Sequence, residues 1–168
     1  EIKGSVQAKQ LMNEATKSFP ADWVKASNNL GGLNVRFSLQ RGFAYTSPIN
    51  QRVNLPTIGV VNMKAGEGWI SVGQLNIAIH EFTHRIQSAR PDIDALFQQE
   101  HRLRTAKEEL QSLRTLTGNA RYTLDEVARP DGYYTPYMGK EYVQYKGHEA
   151  LEVMTMAIQP LLSIDGMD

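Results

Sequence analysis

His80 and His84 stand four residues apart in a segment where Leu75, Ala78, Ile79, Phe82, Ile86 and Ala89 recur at helical intervals, and this coincidence constrains the fold more than any other feature of the chain. The spacing predicts an amphipathic helix over about residues 72–89, stopped by Pro91, with Ser71 and Gln74 as a capping box at its start. Residues four apart on a helix differ by about 40° in azimuth and about 6 Å in height, so both imidazoles aim at one point, where a Zn²⁺ ion fits. Glu81 lies beside the same face without being collinear with the histidines, which suits a carboxylate that handles protons and does not ligate the metal. The plain alternative is three surface residues that happen to share a face. On the metal reading, the fold must bury Ile79, Phe82 and Ile86 beneath the helix and bring a third ligand from elsewhere.

A chain of 168 residues can bury one core, and its 41% hydrophobic and 21% charged residues are those of a globular protein. One domain, 1–168, is therefore expected. Eighteen basic side chains balance eighteen acidic ones, so no long-range field favours nucleic acid or an anionic membrane surface, and neither is expected as a partner. The absence of cysteine excludes disulfide frameworks, thiolate zinc sites and cysteine nucleophiles, so any metal is held by His, Asp or Glu. No apolar run approaches the roughly 20 residues of a membrane-spanning helix, and no signal peptide opens the chain. A start at Glu1 rather than Met suggests an excised or processed piece.

Along the chain, Ala8, Leu11, Met12, Ala15 and Phe19 predict a first helix from Ser5 to Phe19, stopped by Pro20. Asn28-Asn29-Leu30-Gly31-Gly32 reads as a loop, after which Leu33, Val35, Phe37 and Leu39 alternate with polar residues in the period of a half-buried strand. Phe43 with Tyr45, Val53 with Leu55, and the run Ile58 to Val61 predict further short strands, with a turn around Gly66-Glu67-Gly68. A long charged helix is expected from Asp92 to Thr117, with Ile93, Leu96, Leu103, Leu110 and Leu113 inward and Gly118-Asn119 as its stop. Residues 129–147 carry Tyr133, Tyr134, Tyr137, Tyr142 and Tyr145 without helical period and read as an ordered loop with a short strand.

A last helix is expected over about residues 148–159, limited by Pro160, with Ala150, Leu151, Met154, Ala157 and Ile158 on its apolar side. Glu149 and Glu152 lie on its polar side, with His148 adjacent, so two carboxylates compete for the third ligand position. Glu149 falls in the expected first turn, where free backbone N–H groups and the helix dipole already account for a carboxylate. Glu152 is bracketed by Leu151 and Val153, where a buried carboxylate needs a charged partner such as a metal. A phenol from the tyrosine-rich stretch, Tyr142 foremost, is a candidate donor to an oxyanion, against the reading of tyrosines packed on a sheet. Arg121 and Lys140 are either substrate-carboxylate ligands or surface charges.

With a distant helical glutamate, His80-Glu81-Phe82-Thr83-His84 resembles the gluzincin-type zinc peptidases. It resembles more closely the metallopeptidase-like domains of phage minor head proteins and of bacterial polymorphic toxins and effectors. The matching pieces, in order, are Tyr45-Thr46-Ser47-Pro48 before Val53-Asn54-Leu55, the HEFTH segment, Tyr137-Met138-Gly139-Lys140-Glu141-Tyr142, and Glu152-Val153-Met154-Thr155-Met156, spanning residues 43–159. The resemblance implies an α+β, zincin-like fold: a small, mostly antiparallel sheet packed on the HEFTH helix, with the long charged helix and the C-terminal helix besides. It implies one zinc ion per chain held by His80, His84 and Glu152, with Glu81 as the general base of peptide hydrolysis. A protein or peptide substrate would lie along an edge strand, for which Ile58 to Met63 is the expected segment. It also implies a delivered toxin or effector context with an inhibitory or immunity partner. The alternative is a degenerate structural module of a phage-head-like protein, which a fourth protein ligand from His148 or Glu149 would favour.

Overall fold

The alternating segment at Leu33 does form a strand, but the sheet it enters is not the one expected. The computed structural model describes residues 1–147 and 149–163. The chain divides into two compact units, one from Glu1 to Arg90 that also takes in the C-terminal helix from Gln159, the other from Pro91 to Ile158. The first unit contains strands β1 (Ile2–Gly4), β2 (Leu33–Phe37), β3 (Phe43–Thr46), β4 (Gln51–Leu55), β5 (Gly59–Met63) and β6 (Gly68–Val72) and helices α1 (Val6–Lys17), α2 (Ala21–Leu30) and α3 (Leu75–Ala89). Its main sheet runs β1-β2-β6-β3, with β1, β2 and β6 parallel and β3 antiparallel to β6. This corrects the expected mostly antiparallel sheet: α1 and α2 form a crossover between β1 and β2, and crossovers bring strands together in parallel. Ile58 to Met63 is corrected too, because β5 pairs only with β4 in a separate hairpin, and β3 is the edge strand beside α3.

Strand β6 escaped the sequence reading for a physical reason. Gly68, Ile70, Ser71 and Val72 are all buried, so the central strand lacks the polar-apolar alternation of a half-exposed one. Ser71 therefore belongs to β6 and caps nothing; Gln74 is the N-cap of α3, in extended backbone and without a side-chain cap. Met12, Phe19, Val35, Ile70, Val72, Ile79, Phe82 and Ile86 form the core, where Phe19 meets Phe82 edge to face at 5.0 Å. Burying each large side chain of this kind contributes about 1.5–3 kcal/mol.

Helix α2, read in sequence as a short stretch followed by a loop, is held from outside itself. Arg85 of α3 is 1% exposed and donates from Nη2 to the carbonyls of Ser27 (3.2 Å) and Gly31 (2.8 Å), from Nε to Ser27 Oγ (3.1 Å), and from Nη1 to the carbonyl of Gly66 (3.2 Å). The guanidinium thus caps the carbonyl end of α2, where a cation is favoured by the helix dipole. Burial pushes the Arg85 pKa down to about 10, so it stays charged at neutral pH. Two glycines admit this arrangement. A Cβ on Gly68 would stand 2.4 Å from Arg85 Nη1, and one on Gly66, whose φ is +77°, would stand 1.8 Å from the Leu30 carbonyl oxygen.

The second unit contains α4 (Pro91–Arg104), β7 (Gln111–Ser112), α5 (Leu113–Thr117), β8 (Val127–Ala128), a 3-10 turn at Pro136–Gly139, β9 (Lys140–Glu141) and the first half of α6 (Leu151–Ser163). The expected long helix is therefore two helices, α4 and α5, with a strand between them. Of its expected inward residues Leu113 is buried, but Leu96 and Leu103 are 65% and 67% exposed, whereas Asp94, Gln98, His101 and Thr105 are buried. A polar face is buried because it is bonded: His101 meets Glu141 Oε1 at 2.8 Å and the Tyr133 hydroxyl at 3.1 Å, and Gln98 Oε1 accepts from Ala150 N at 3.0 Å. Lys140, read as either a substrate-carboxylate ligand or a surface charge, is buried and paired with Glu126 at 2.7 Å.

Helix α6 also runs three residues past Pro160, its expected limit. Proline has no N–H to bond the carbonyl four residues back, a loss that contributes to a cost of about 3 kcal/mol inside a helix. Here that carbonyl, on Met156, accepts from the Tyr134 hydroxyl at 2.9 Å, so the helix continues.

Replacing Arg85 with Met should lower the stability of the protein by about 3–5 kcal/mol, because buried carbonyls lose their donor. Urea unfolding monitored by circular dichroism measures this; a loss below about 1 kcal/mol would show that α2 does not depend on the clamp.

Candidate metal centre

Helix α3 buries nine of its fifteen residues, among them His80, Glu81, Thr83, Arg85 and Gln87, while His84 is half-buried. Buried polar groups need partners, and each histidine has a glutamine. His84 Nδ1–H donates to Gln87 Oε1 at 2.8 Å, one turn further along the same helix. His80 Nδ1–H donates to Gln159 Oε1 of α6 at 3.0 Å. With the proton on Nδ1, the neutral form of each ring carries its lone pair on Nε2, a tautomer from which a metal can be bound. The rings stand 5.1 Å apart, centroid to centroid, at 82° to one another.

Glu152 lies seven residues before Gln159 on α6, two helical turns away and on the same face. It is 1% exposed. Its Oε1 accepts from the hydroxyls of Tyr137 (3.0 Å) and Tyr142 (2.5 Å), and its Oε2 from Thr155 Oγ1 (3.0 Å). Among the described residues, His80, His84 and Glu152 form a group that could hold a metal ion, one ligand atom from each lying within 4.8 Å of the others. The donor chemistry fits a divalent cation of zinc's kind: two imidazole nitrogens and one carboxylate tied down by hydroxyls.

Glu149 is placed elsewhere. It precedes α6, its carboxylate accepts from Gly147 N at 2.8 Å, and it lines a cavity of about 390 Å³ in the second unit together with His101, Arg129 and Glu141. The expectation that it occupies the first helical turn is thereby corrected; that turn belongs to Glu152. His148 lies outside the described residues. Tyr142, expected as an oxyanion donor, has its one hydroxyl hydrogen committed to Glu152. Burial, then the Glu152 charge, pushes the phenol's pKa up, so it remains a donor. Lys140 Nζ stands over the Tyr142 ring, 4.5 Å from its centroid. Arg121 is exposed.

Gln87, Gln159, Tyr137 and Thr155 were not singled out in the sequence as parts of the site. Gln87 and Gln159 carried a readable signal, since one is three residues after His84 and the other two turns after Glu152. Nothing in the sequence marked Tyr137 above its neighbouring tyrosines.

No protein-family model matches the chain, and neither a curated protein nor a solved structure matches it.

Gln159→Leu and Gln87→Leu should each weaken Zn²⁺ binding by roughly 10- to 100-fold, because a ring without its partner is free to turn or to protonate the wrong nitrogen. Chelator competition on the purified variants reads this. Unchanged affinity in both would mean that the glutamines do not orient the histidines.

Proposed function

We propose that this chain is a zinc-dependent peptidase domain of gluzincin type that hydrolyses a protein or peptide substrate. One observation carries the reading: His80 and His84 each meet a glutamine oxygen through Nδ1, and Glu81, buried between them in sequence, stands outside the group they form with Glu152. Among the described residues the group has three protein donors, the number of a catalytic zinc site, whereas structural sites are usually closed by four. This supports an enzyme over a structural module.

A bound zinc ion would supply Lewis acidity and lower the pKa of a water to about 7. The chain's own residues supply the rest. Glu81 takes the proton of the attacking water on a carboxylate oxygen and delivers it to the leaving nitrogen, so that the product departs as an amine. Tyr137, Tyr142 and Thr155 hold the Glu152 carboxylate in one orientation, and the two glutamines hold the imidazoles. As a module of a toxin or effector, such a domain would act on a target protein and be restrained by an inhibitory partner.

Purified protein should contain about one zinc ion per chain by elemental analysis, and His80→Ala should lose it. Glu81→Gln should keep both metal and fold while turnover of an unstructured protein substrate falls by about 10²- to 10⁴-fold. Full turnover in the Gln variant would remove Glu81 from the chemistry.

A further inference from the structure

Gly42 immediately precedes the edge strand β3, on the side of the sheet where that strand meets α3. A Cβ at this position would stand 2.6 Å from Glu81 Oε1, 2.7 Å from Ile77 Cγ2 and 3.1 Å from the Ser71 carbonyl oxygen. Gly42 is absent from the glycines of positive φ, so its backbone does not demand glycine. The space does. Of the three neighbours, the Ser71 carbonyl is fixed in β6 and Ile77 is a half-buried residue in the first turn of α3, while the Glu81 carboxylate is the end of a flexible side chain. A methyl group at 42 therefore moves the carboxylate before it moves the sheet.

We propose that Gly42 is a positioning residue for Glu81: the missing side chain leaves the notch in which the carboxylate sits, and so sets where the proton-accepting oxygen stands. The inference rests on the reading of Glu81 as general base and adds a residue to it that is remote in sequence and makes no bond. A misplacement of about 1 Å at a reacting group can cost on the order of 100-fold in rate, so a single methyl is enough to matter. Neither histidine is among the three nearest neighbours of that Cβ, so the methyl should leave the metal ligands in place.

The test separates the notch from the chemistry by using Ile77→Ala as the background, in which Glu81 is the only side chain among those neighbours left to meet the new methyl. In zinc-free protein, adding Gly42→Ala should lower Tm by several degrees, and a further Glu81→Ala should restore most of the loss. With zinc and an unstructured protein substrate, Gly42→Ala should lower kcat on the order of 100-fold, with KM and zinc affinity within about twofold of the background. If Gly42→Ala lowers Tm equally with and without the Glu81 side chain, the methyl meets backbone only and the proposal is overturned. If the coupling in Tm is present but Glu81→Gln leaves turnover intact, the notch stands as packing and it is the general-base reading that fails. A rise in KM at unchanged kcat would also overturn the positioning role.

Discussion

A helix buried around most of its circumference must find a partner for each polar atom it carries, and α3 lives under that constraint. An unpaired polar group in such a place costs about 1–3 kcal/mol, more if charged, so one orphan would erode much of a domain's stability. The solutions determine what surrounds the helix. Thr83 bonds back to the Ile79 carbonyl, Arg85 draws in the end of α2 and the turn at Gly66, His84 uses Gln87, and His80 takes Gln159 from the far end of the chain. A metal-ligating tautomer is thus a by-product of ordinary hydrogen-bond satisfaction. The fold orients the imidazoles because it cannot leave their Nδ1 atoms unpaired.

Much of the first unit was legible where one side of an element faces solvent. The helix face of Met12 and Ala15, the strand alternation from Leu33 and the helix around HEFTH all announce themselves through a period. Period fails where both sides are buried, as in β6, and where burial is polar, as in α4. In α4, Leu96 and Leu103 look like core and are exposed, while Asp94, Gln98 and His101 look like surface and are interior because each has a partner. Helix α2 was hidden for a third reason: Asn28 and Asn29 read as loop, and the bonds that hold the helix end come from Arg85, 58 residues away from Ser27.

The candidate site divides along the same line. Its local part, three residues within one helical turn, is a pattern that any reader of the chain can find. Its long-range part depends on which carboxylate the last helix presents, and that hung on where the helix begins. Starting α6 at Leu151 rather than at residue 148 removes Glu149 from the helix altogether and puts Glu152 in the first turn. The tyrosine-rich stretch shows the limit of reading function from residue type: Tyr142 is close to the chemistry, but its hydroxyl meets a carboxylate of the protein. The proline at 160 shows the converse, a breaker neutralised by the Tyr134 hydroxyl from an element with no sequence relation to it.

The first unit is interrupted in sequence: everything up to Arg90 belongs to it, then the whole second unit intervenes, and Gln159 returns. Synthesis on a ribosome is vectorial, and domains tend to fold as their residues emerge. The sheet, α1, α2 and α3 are all available early, but the acceptor that His80 needs is made 79 residues later. A nascent chain therefore carries an almost finished unit before the bond between His80 and Gln159 can form, and that bond closes only after α6 has left the exit tunnel.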